Sequence, residues 1–171
     1  MKDDVKFDWS YLGDIEAGRE NLGEEMPVFV YRLLEYTMQE VLSKRYGKET
    51  SIELFREAGR AAGTYLYQRY LPDITDVSEF AAELKKTLAV FKIGILRFED
   101  LREDGTMTLT ISEDLDCSGL PVMGETVCHY DEGFIAGILT EFYQKEYVVK
   151  EIDCWAKGDR VCRFEAYVKK G

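Results

Sequence analysis

Three cysteines in the last third of the chain are spaced as metal ligands could be. Cys128 precedes a helical pattern, whereas Cys154 and Cys162 flank a short turn between two strand-like segments. The start of a helix favours a thiolate, and cysteines on paired strands can face each other across the ladder. Three converging thiolates require a cation, and Zn2+ prefers thiolates in a tetrahedral set of four ligands. The spacing therefore indicates a zinc site that needs one more ligand.

The spacing alone leaves the fourth ligand open. The nearby candidates are Cys117, His129, Glu151 and Asp153. Glu151 lies three residues before Cys154, so in a regular strand the two side chains point to opposite faces. Glu151 can join the site only if a β-bulge lies between them. The alternatives to a metal are a disulfide between Cys154 and Cys162, or buried free thiols.

Composition limits the classes of function. The chain has 171 residues, of which 46% are hydrophobic and 32% charged, as in a globular protein of one domain. Its formal net charge of −11 argues against nucleic-acid or anionic-membrane partners, which need a basic face. The single histidine, His129, excludes mechanisms that need two. The sequence also lacks the GxxxxGKS/T phosphate loop and the GxSxG nucleophile elbow.

Hydropathy and the first residues bear on cellular location. No apolar run approaches the ~20 residues of a membrane span. The first ten residues are polar and acidic, unlike a signal or transit peptide. We therefore expect a cytoplasmic protein. In that reducing compartment, clustered cysteines favour metal binding or redox chemistry over structural disulfides.

The elements that carry the cysteines follow from the periodicity of apolar residues. Spacings of three and four predict helices over 27–47, 50–70, 77–88 and 129–143. Period-two alternation around glycine-containing turns predicts strands over 91–100, 106–112, 147–155 and 160–168. This order predicts an α+β fold, in which an antiparallel sheet of two hairpins is covered by about four helices. Residues 1–26 are expected to form an irregular lead-in to a single domain over 27–171.

Small residues one turn apart occur on two of the predicted helices. The pairs are Gly59 with Gly63, and Gly133 with Gly137. Residues without bulky side chains at this spacing allow another backbone to approach closely. The approaching backbone belongs either to another helix of this chain or to a second subunit.

The C-terminal third resembles the 4-vinyl reductase domain family. The residues that carry the resemblance are Cys128, Gly133, Gly137, Glu151, Cys154, Gly158, Cys162 and Phe164. The match is close over 115–168 and looser over the helix segment 58–63. That family includes predicted hydrocarbon-binding proteins and the sensory domains of aromatic-responsive transcriptional activators. Its fold resembles the subunits of vesicle-transport (TRAPP) particles, which agrees with the predicted α+β order.

The resemblance implies a ligand set for zinc. In sensory members of the family, three cysteines and one glutamate hold the ion, and the matching residues here are Cys128, Glu151, Cys154 and Cys162. This set requires a bulge near residues 152–153. Cys117 lies outside the set, either as a buried thiol or as an alternative to Glu151. Four protein ligands leave no open position, so the zinc is expected to be structural.

The resemblance also implies an apolar pocket between helices and sheet, for a hydrophobic small molecule, in a homodimer. Candidate lining residues are Tyr31, Leu34, Tyr65, Phe91, Ile95, Phe134, Ile138 and Trp155. The aromatic sensors hold a phenolic ligand with a histidine and a tryptophan. His129 and Trp155 match neither by motif, so recognition of phenol does not carry over. The leading hypothesis is a stand-alone binding or sensing module without catalytic residues.

Two other functions are compatible with the family. One is a reductase of a vinyl or other unsaturated group, and the other is an assembly or scaffold subunit. The candidates for proton chemistry are Tyr130, Asp131 and Glu132. Acids in the first turn of a helix usually complement its dipole, so the sequence favours binding over catalysis.

Overall fold

Helices fill the first half of the chain, and four strands with one further helix fill the second. The computed structural model describes residues 6–170. The helices are α1 Ile15–Gly18, α2 Val28–Tyr46, α3 Lys48–Tyr70, α4 Val77–Val90 and α5 His129–Tyr143. The strands are β1 Ile95–Leu101, β2 Met107–Ser112, β3 Tyr147–Asp153 and β4 Cys162–Val168. None of the helices described has both the length and the apolar character needed to cross a membrane.

The described chain divides into two compact units between residues 35 and 36, within α2. In the first unit, Asp8 caps a short 3₁₀ helix at Trp9–Leu12, and Asp14 caps α1. Side chains over 6–35 are exposed or half-buried, so this part contributes little apolar burial. The division into a lead-in over 1–26 and a domain over 27–171 stays a prediction. Residues 1–5 and 171 lie outside the described part.

The second unit contains a four-stranded antiparallel sheet in the order β1-β2-β4-β3. The sheet joins the two predicted hairpins side by side, and Ile111 of β2 lies opposite Cys162 of β4. In the turn of the first hairpin, Asp104 accepts a hydrogen bond from the Thr106 N–H at 2.9 Å. Gly105 has φ +85°, a conformation that favours glycine. The predicted α+β fold is confirmed.

Helix α5 lies at the centre of the second unit. It packs against both α3 and β3, and its N-terminal two-thirds is largely buried. Ile138 and Leu139 join a core whose other large, fully buried side chains include Phe80, Leu88, Met107, Leu109 and Phe164. Burial stabilises the fold by about 1.5–3 kcal/mol for each such side chain. The core therefore holds the start of α5 firmly beside the sheet.

The predicted close-approach glycines form the crossing between α3 and α5. A Cβ at Gly59 or Gly63 would overlap carbonyl oxygens of α5, at Tyr130 and Phe134 respectively. Conversely, a Cβ at Gly133 or Gly137 would overlap the carbonyl oxygens of Arg56 and Arg60 on α3. The two pairs are reciprocal, so packing within the chain accounts for them.

One predicted boundary was wrong. The strand expected from residue 91 begins at Ile95, because α4 continues to Val90 and its C-terminal turn uses the next residues. The Phe91 N–H donates to the Thr87 carbonyl, and the Ile93 N–H donates to the Leu88 carbonyl. Lys92 has φ +58°, the left-handed conformation that usually favours glycine after a helix.

Candidate functional site

Four buried sulfurs meet at one point in the second unit. The set comprises Cys117, Cys128, Cys154 and Cys162, here called the cysteine cluster, and its sulfurs all lie within 4.8 Å of one another. The Cys128 Sγ is 3.9 Å from that of Cys154 and 3.8 Å from that of Cys162. All four are free thiols, so the suggested Cys154–Cys162 disulfide is not formed.

Three of these cysteines are positioned by α5 and the C-terminal hairpin, β3–β4. Cys128 is the N-cap residue of α5, and Cys162 is the first residue of β4. Cys154 follows β3, and its N–H donates to the Asp159 carboxylate at 3.0 Å. Between them, Gly158 has φ +108° and closes the turn. Three cysteines distant in sequence are therefore brought together, as their spacing predicted.

Cys117 reaches the same point from the loop between β2 and α5. The Asp114 carboxylate accepts hydrogen bonds from the N–H groups of Asp116, at 2.9 Å, and Cys117, at 3.1 Å. This local turn directs the fully buried Cys117 inward, to 3.0 Å from the Cys162 Sγ. The resemblance placed Cys117 outside the ligand set, whereas the structure places it within the cluster. The aspartate three residues earlier is the local signal that favours such a turn.

Glu151 lies beside the cluster at a β-bulge. The register between β3 and β4 shifts between Glu151 and Asp153, which confirms the predicted bulge. The buried Glu151 accepts a hydrogen bond through Oε2 from the Cys128 N–H, at 3.1 Å. Its Oε1 is buried and has no hydrogen-bond partner among residues 6–170. An unpaired buried carboxylate oxygen is costly, so Oε1 is available as a donor to a bound cation.

The electrostatics of the cluster favour a cation. Contacts with the other three cysteines raise the pKa of the Cys128 thiol, whereas contacts with its neighbours lower the pKa of Cys154. Sulfurs this close repel when ionised, so one thiolate suppresses ionisation of the thiols around it. Burial, with a further contribution from Cys154, raises the pKa of Glu151 to about 8. A cation would replace the protons that these groups otherwise retain.

Glu132 connects the cluster region to α3. Its Oε1 accepts a hydrogen bond from the Glu151 N–H at 2.9 Å, and its Oε2 pairs with the Arg56 Nε at 2.5 Å. The His129 Nδ1 lies 3.5 Å from the same Oε2. Burial raises the pKa of Glu132, but the contacts with His129 and Arg56 outweigh it and hold the pKa below its ordinary value. Glu132 thus has a more specific role than complementing the helix dipole.

Two further acids form a buried pair next to Cys128. The side chains of Asp114 and Asp131 hydrogen-bond to each other. Burial is the largest cause that raises the pKa of each, so the pair shares a proton. Single-sequence reasoning did not find this pair, because the two residues come from a loop and a helix that only the tertiary fold brings together.

Comparisons with known proteins identify the family. The family model of the 4-vinyl reductase domain matches residues 107–167. The protein MJ0150 of Methanocaldococcus jannaschii is 30% identical over 160 residues, which cover 94% of this chain and 86% of that protein. The chain belongs to the 4-vinyl reductase domain family. The predicted resemblance is thereby confirmed.

Solved structures share the fold of this 4-vinyl reductase domain. A vinyl-4-reductase family protein from Methanocaldococcus jannaschii has a TM-score of 0.63 at 20% identity, covering 97% of this chain and 99% of that one. The phenol-responsive sensory domain of the transcription activator PoxR, with phenol, has a TM-score of 0.63 at 14% identity, covering 86% and 78%. Trafficking protein particle complex subunit 3 from Naegleria fowleri, covalently bound to palmitic acid, has a TM-score of 0.60 at 13% identity, covering 84% and 98%. The expected similarity to the folds of this family and of TRAPP subunits is confirmed.

The predicted pocket residues of the 4-vinyl reductase domain lie in different environments. Ile138 and Phe134 are buried, whereas Tyr31 and Tyr65 are half-buried. The others have large exposed surfaces, namely Leu34, Phe91, Ile95 and Trp155. The Trp155 Nε1 donates to the Leu120 carbonyl at 3.0 Å. The structure therefore does not gather the eight residues around one enclosed space, and their role as a pocket stays a prediction.

An enclosed apolar cavity does lie between α4, α5 and the sheet. Its lining is entirely apolar and consists of Leu84, Leu88, Leu96, Phe98, Leu109, Ile135, Ile138 and Leu139. Its volume is about 10 Å³, which is close to the minimum for one water molecule. A second, more open cavity of about 260 Å³ has a largely charged lining that includes Arg56, Arg60 and Glu132. Only the first has the chemistry of a hydrocarbon site, and a ligand must enlarge it to enter.

Proposed function

We propose that this 4-vinyl reductase domain is a small-molecule binding or sensing module, in which Zn2+ fastens the C-terminal hairpin to the start of α5. The observation that carries the proposal is the buried cysteine cluster. Its members come from a loop, a helix start and both sides of a hairpin turn. An ion bound there would cross-link these segments and fix one end of α5 against the sheet.

Zinc fits the donor chemistry better than the common hard cations. Mg2+ and Ca2+ prefer oxygen ligands, whereas a buried set of thiols suits Zn2+. Cys128, Cys154 and Cys162 would be three of the ligands, with a fourth donor beside them. A closed, four-ligand ion contributes to folding and leaves no position for substrate, so its role is structural.

The proposed ligand is a hydrophobic small molecule that occupies the apolar cavity next to α5. The lining offers only apolar side chains, so it would select a hydrocarbon-like group. The solved relatives include one structure with phenol and one with covalently bound palmitic acid, each on this fold. Since the cavity holds about 10 Å³, binding would require α4 or its side chains to move outward. That movement would provide the signal of a sensor.

A homodimer and a cytoplasmic location are parts of the same proposal. Helix α2 has no buried residue, and Met38 and Val41 on it are exposed. These apolar side chains support a second copy as the partner of α2. Among the described residues, nothing specific favours the reductase or scaffold alternatives.

Native mass spectrometry of protein purified without added ligand or metal tests the proposal. We expect one zinc per chain, a dimer, and a mass increment from a hydrophobic compound in part of the population. A metal-free monomer that retains no compound, and whose unfolding temperature no hydrophobic compound shifts, would contradict it.

A further inference from the structure

We propose that Cys117, and not Glu151, supplies the fourth ligand, so that this 4-vinyl reductase domain holds its metal ion by four thiolates. The inference rests on the proposed function, because it assumes that the cluster binds Zn2+. It departs from the ligand set that the family resemblance implied.

The distances between sulfurs support four thiolates. In a tetrahedral site with zinc–sulfur bonds of about 2.3 Å, the sulfurs lie about 3.8 Å apart. The two distances from the Cys128 Sγ, 3.8 and 3.9 Å, match this value. Cys117 satisfies the same mutual limit of 4.8 Å as the other three members. A tetrahedral ion could therefore bind all four sulfurs with small adjustments, the largest of which separates Cys117 from Cys162.

Glu151 already has a structural role that explains its position. Its Oε2 accepts the Cys128 N–H and so caps α5, whose N-cap residue makes no side-chain capping bond of its own. Its backbone N–H is held by Glu132. Among the described residues, no oxygen of Glu151 belongs to the group of donor atoms that all lie within 4.8 Å of one another. The carboxylate is therefore placed to orient Cys128 beside the ion.

The loop bonds around Cys117 hold it in place as a ligand. Asp114 accepts the Cys117 N–H, and the Cys117 carbonyl accepts the Leu120 N–H at 3.0 Å. A thiol fixed on both sides and fully buried has little freedom to leave the cluster. With Cys117 bound, the ion would also fasten the loop over 113–127, in addition to α5 and the hairpin.

X-ray absorption spectroscopy at the zinc edge distinguishes the two ligand sets. The samples are the full-length zinc-loaded protein, C117S and E151Q, each with its zinc content measured. We expect four sulfurs at about 2.3 Å in the wild type and in E151Q. In C117S we expect three sulfurs and one lighter ligand at about 2.0–2.1 Å.

The opposite pattern would overturn the inference. Three sulfurs with one oxygen in the wild type, unchanged in C117S but altered in E151Q, would assign the ligand to Glu151 and leave the zinc proposal intact. Absence of zinc from the wild type would instead overturn both proposals. If C117S does not fold, the wild-type and E151Q spectra still decide, because the sulfur count differs between the two ligand sets.

Discussion

The Glu151 carboxylate accepts a hydrogen bond from the backbone N–H of Cys128, at 3.1 Å. This bond joins the bulge of β3 to the first turn of α5, next to the cysteine cluster. Glu132 extends the connection, since it binds the Glu151 N–H on one side and Arg56 of α3 on the other. Three elements thus meet through two buried carboxylates at the proposed metal site.

Replacing Cys162 by serine should remove the metal. The variant lacks one thiolate and leaves a polar hydroxyl in a buried position, so we expect less than about 0.2 zinc per chain, against about one in the wild type. A loss of about 3 kcal/mol or more should lower the midpoint of thermal unfolding by about 6–12 °C. Metal analysis and thermal unfolding followed by circular dichroism measure both effects. The matched control is Lys150→Arg on β3, an exposed position, which should retain the metal and the wild-type midpoint.

Replacing Gly63 by alanine should force α3 and α5 apart. The added methyl group would overlap the Phe134 carbonyl, which belongs to the backbone and cannot rotate away. Overpacking typically costs about 1–3 kcal/mol, and here the upper end is expected. Urea unfolding gives the change in free energy. Gly18→Ala is the control, because a Cβ there has no neighbour within 4 Å, and equal stability losses in the two variants would contradict the packing interpretation.

Replacing Glu132 by glutamine should destabilise the protein in a pH-dependent manner. The folded state lowers the pKa of Glu132, so its stabilising contribution is complete above the unfolded pKa of about 4.3 and is lost as the pH falls through the folded value. We therefore expect E132Q to be less stable by about 1–3 kcal/mol near neutral pH, with the difference closing below about pH 4. Urea unfolding across this pH range measures it.

Glu53→Gln is the control for this measurement. Glu53 also pairs with Arg56, but its side chain is largely exposed, so its loss should cost less than about 1 kcal/mol. A difference between E132Q and wild type that widens on acidification would show that the buried ion pair does not stabilise the fold.

Replacing Leu84 by alanine should enlarge the apolar cavity beside α5. The change should cost about 2–5 kcal/mol, and a small apolar ligand such as benzene should partly restore stability by filling the space. Thermal unfolding with and without benzene tests this. Leu54→Ala on α3, at a partly exposed position away from the cavity lining, should show no comparable rescue. Equal effects of benzene on both variants would argue against a hydrocarbon site at this position.

Helix α5 shows how much of the fold the sequence could predict. Its bounds match the prediction because its apolar and glycine spacing agrees with its burial on two sides. The start of β1 was missed, since Lys92 takes a left-handed conformation that no glycine marks. Propensity cannot reveal a turn that tertiary packing imposes.

The site was predicted only in part for a similar reason. Cys128, Cys154 and Cys162 sit at the ends of periodic elements, so their convergence followed from the element order. Cys117 lies in a loop without periodicity, and its approach depends on a turn around Asp114 and on the packing of distant segments. The bulge at Glu151 was expected from the family pattern, because the local alternation of residues does not require it.

Metal analysis of the wild-type protein, purified under reducing conditions without added metal, tests the central claim most directly. Inductively coupled plasma mass spectrometry, together with titration of accessible thiols, gives the metal content and the state of the four cysteines on one sample. The account predicts one zinc per chain, with thiols that react only after chelation or unfolding. A metal-free protein that is fully folded and takes up no zinc on addition would contradict it.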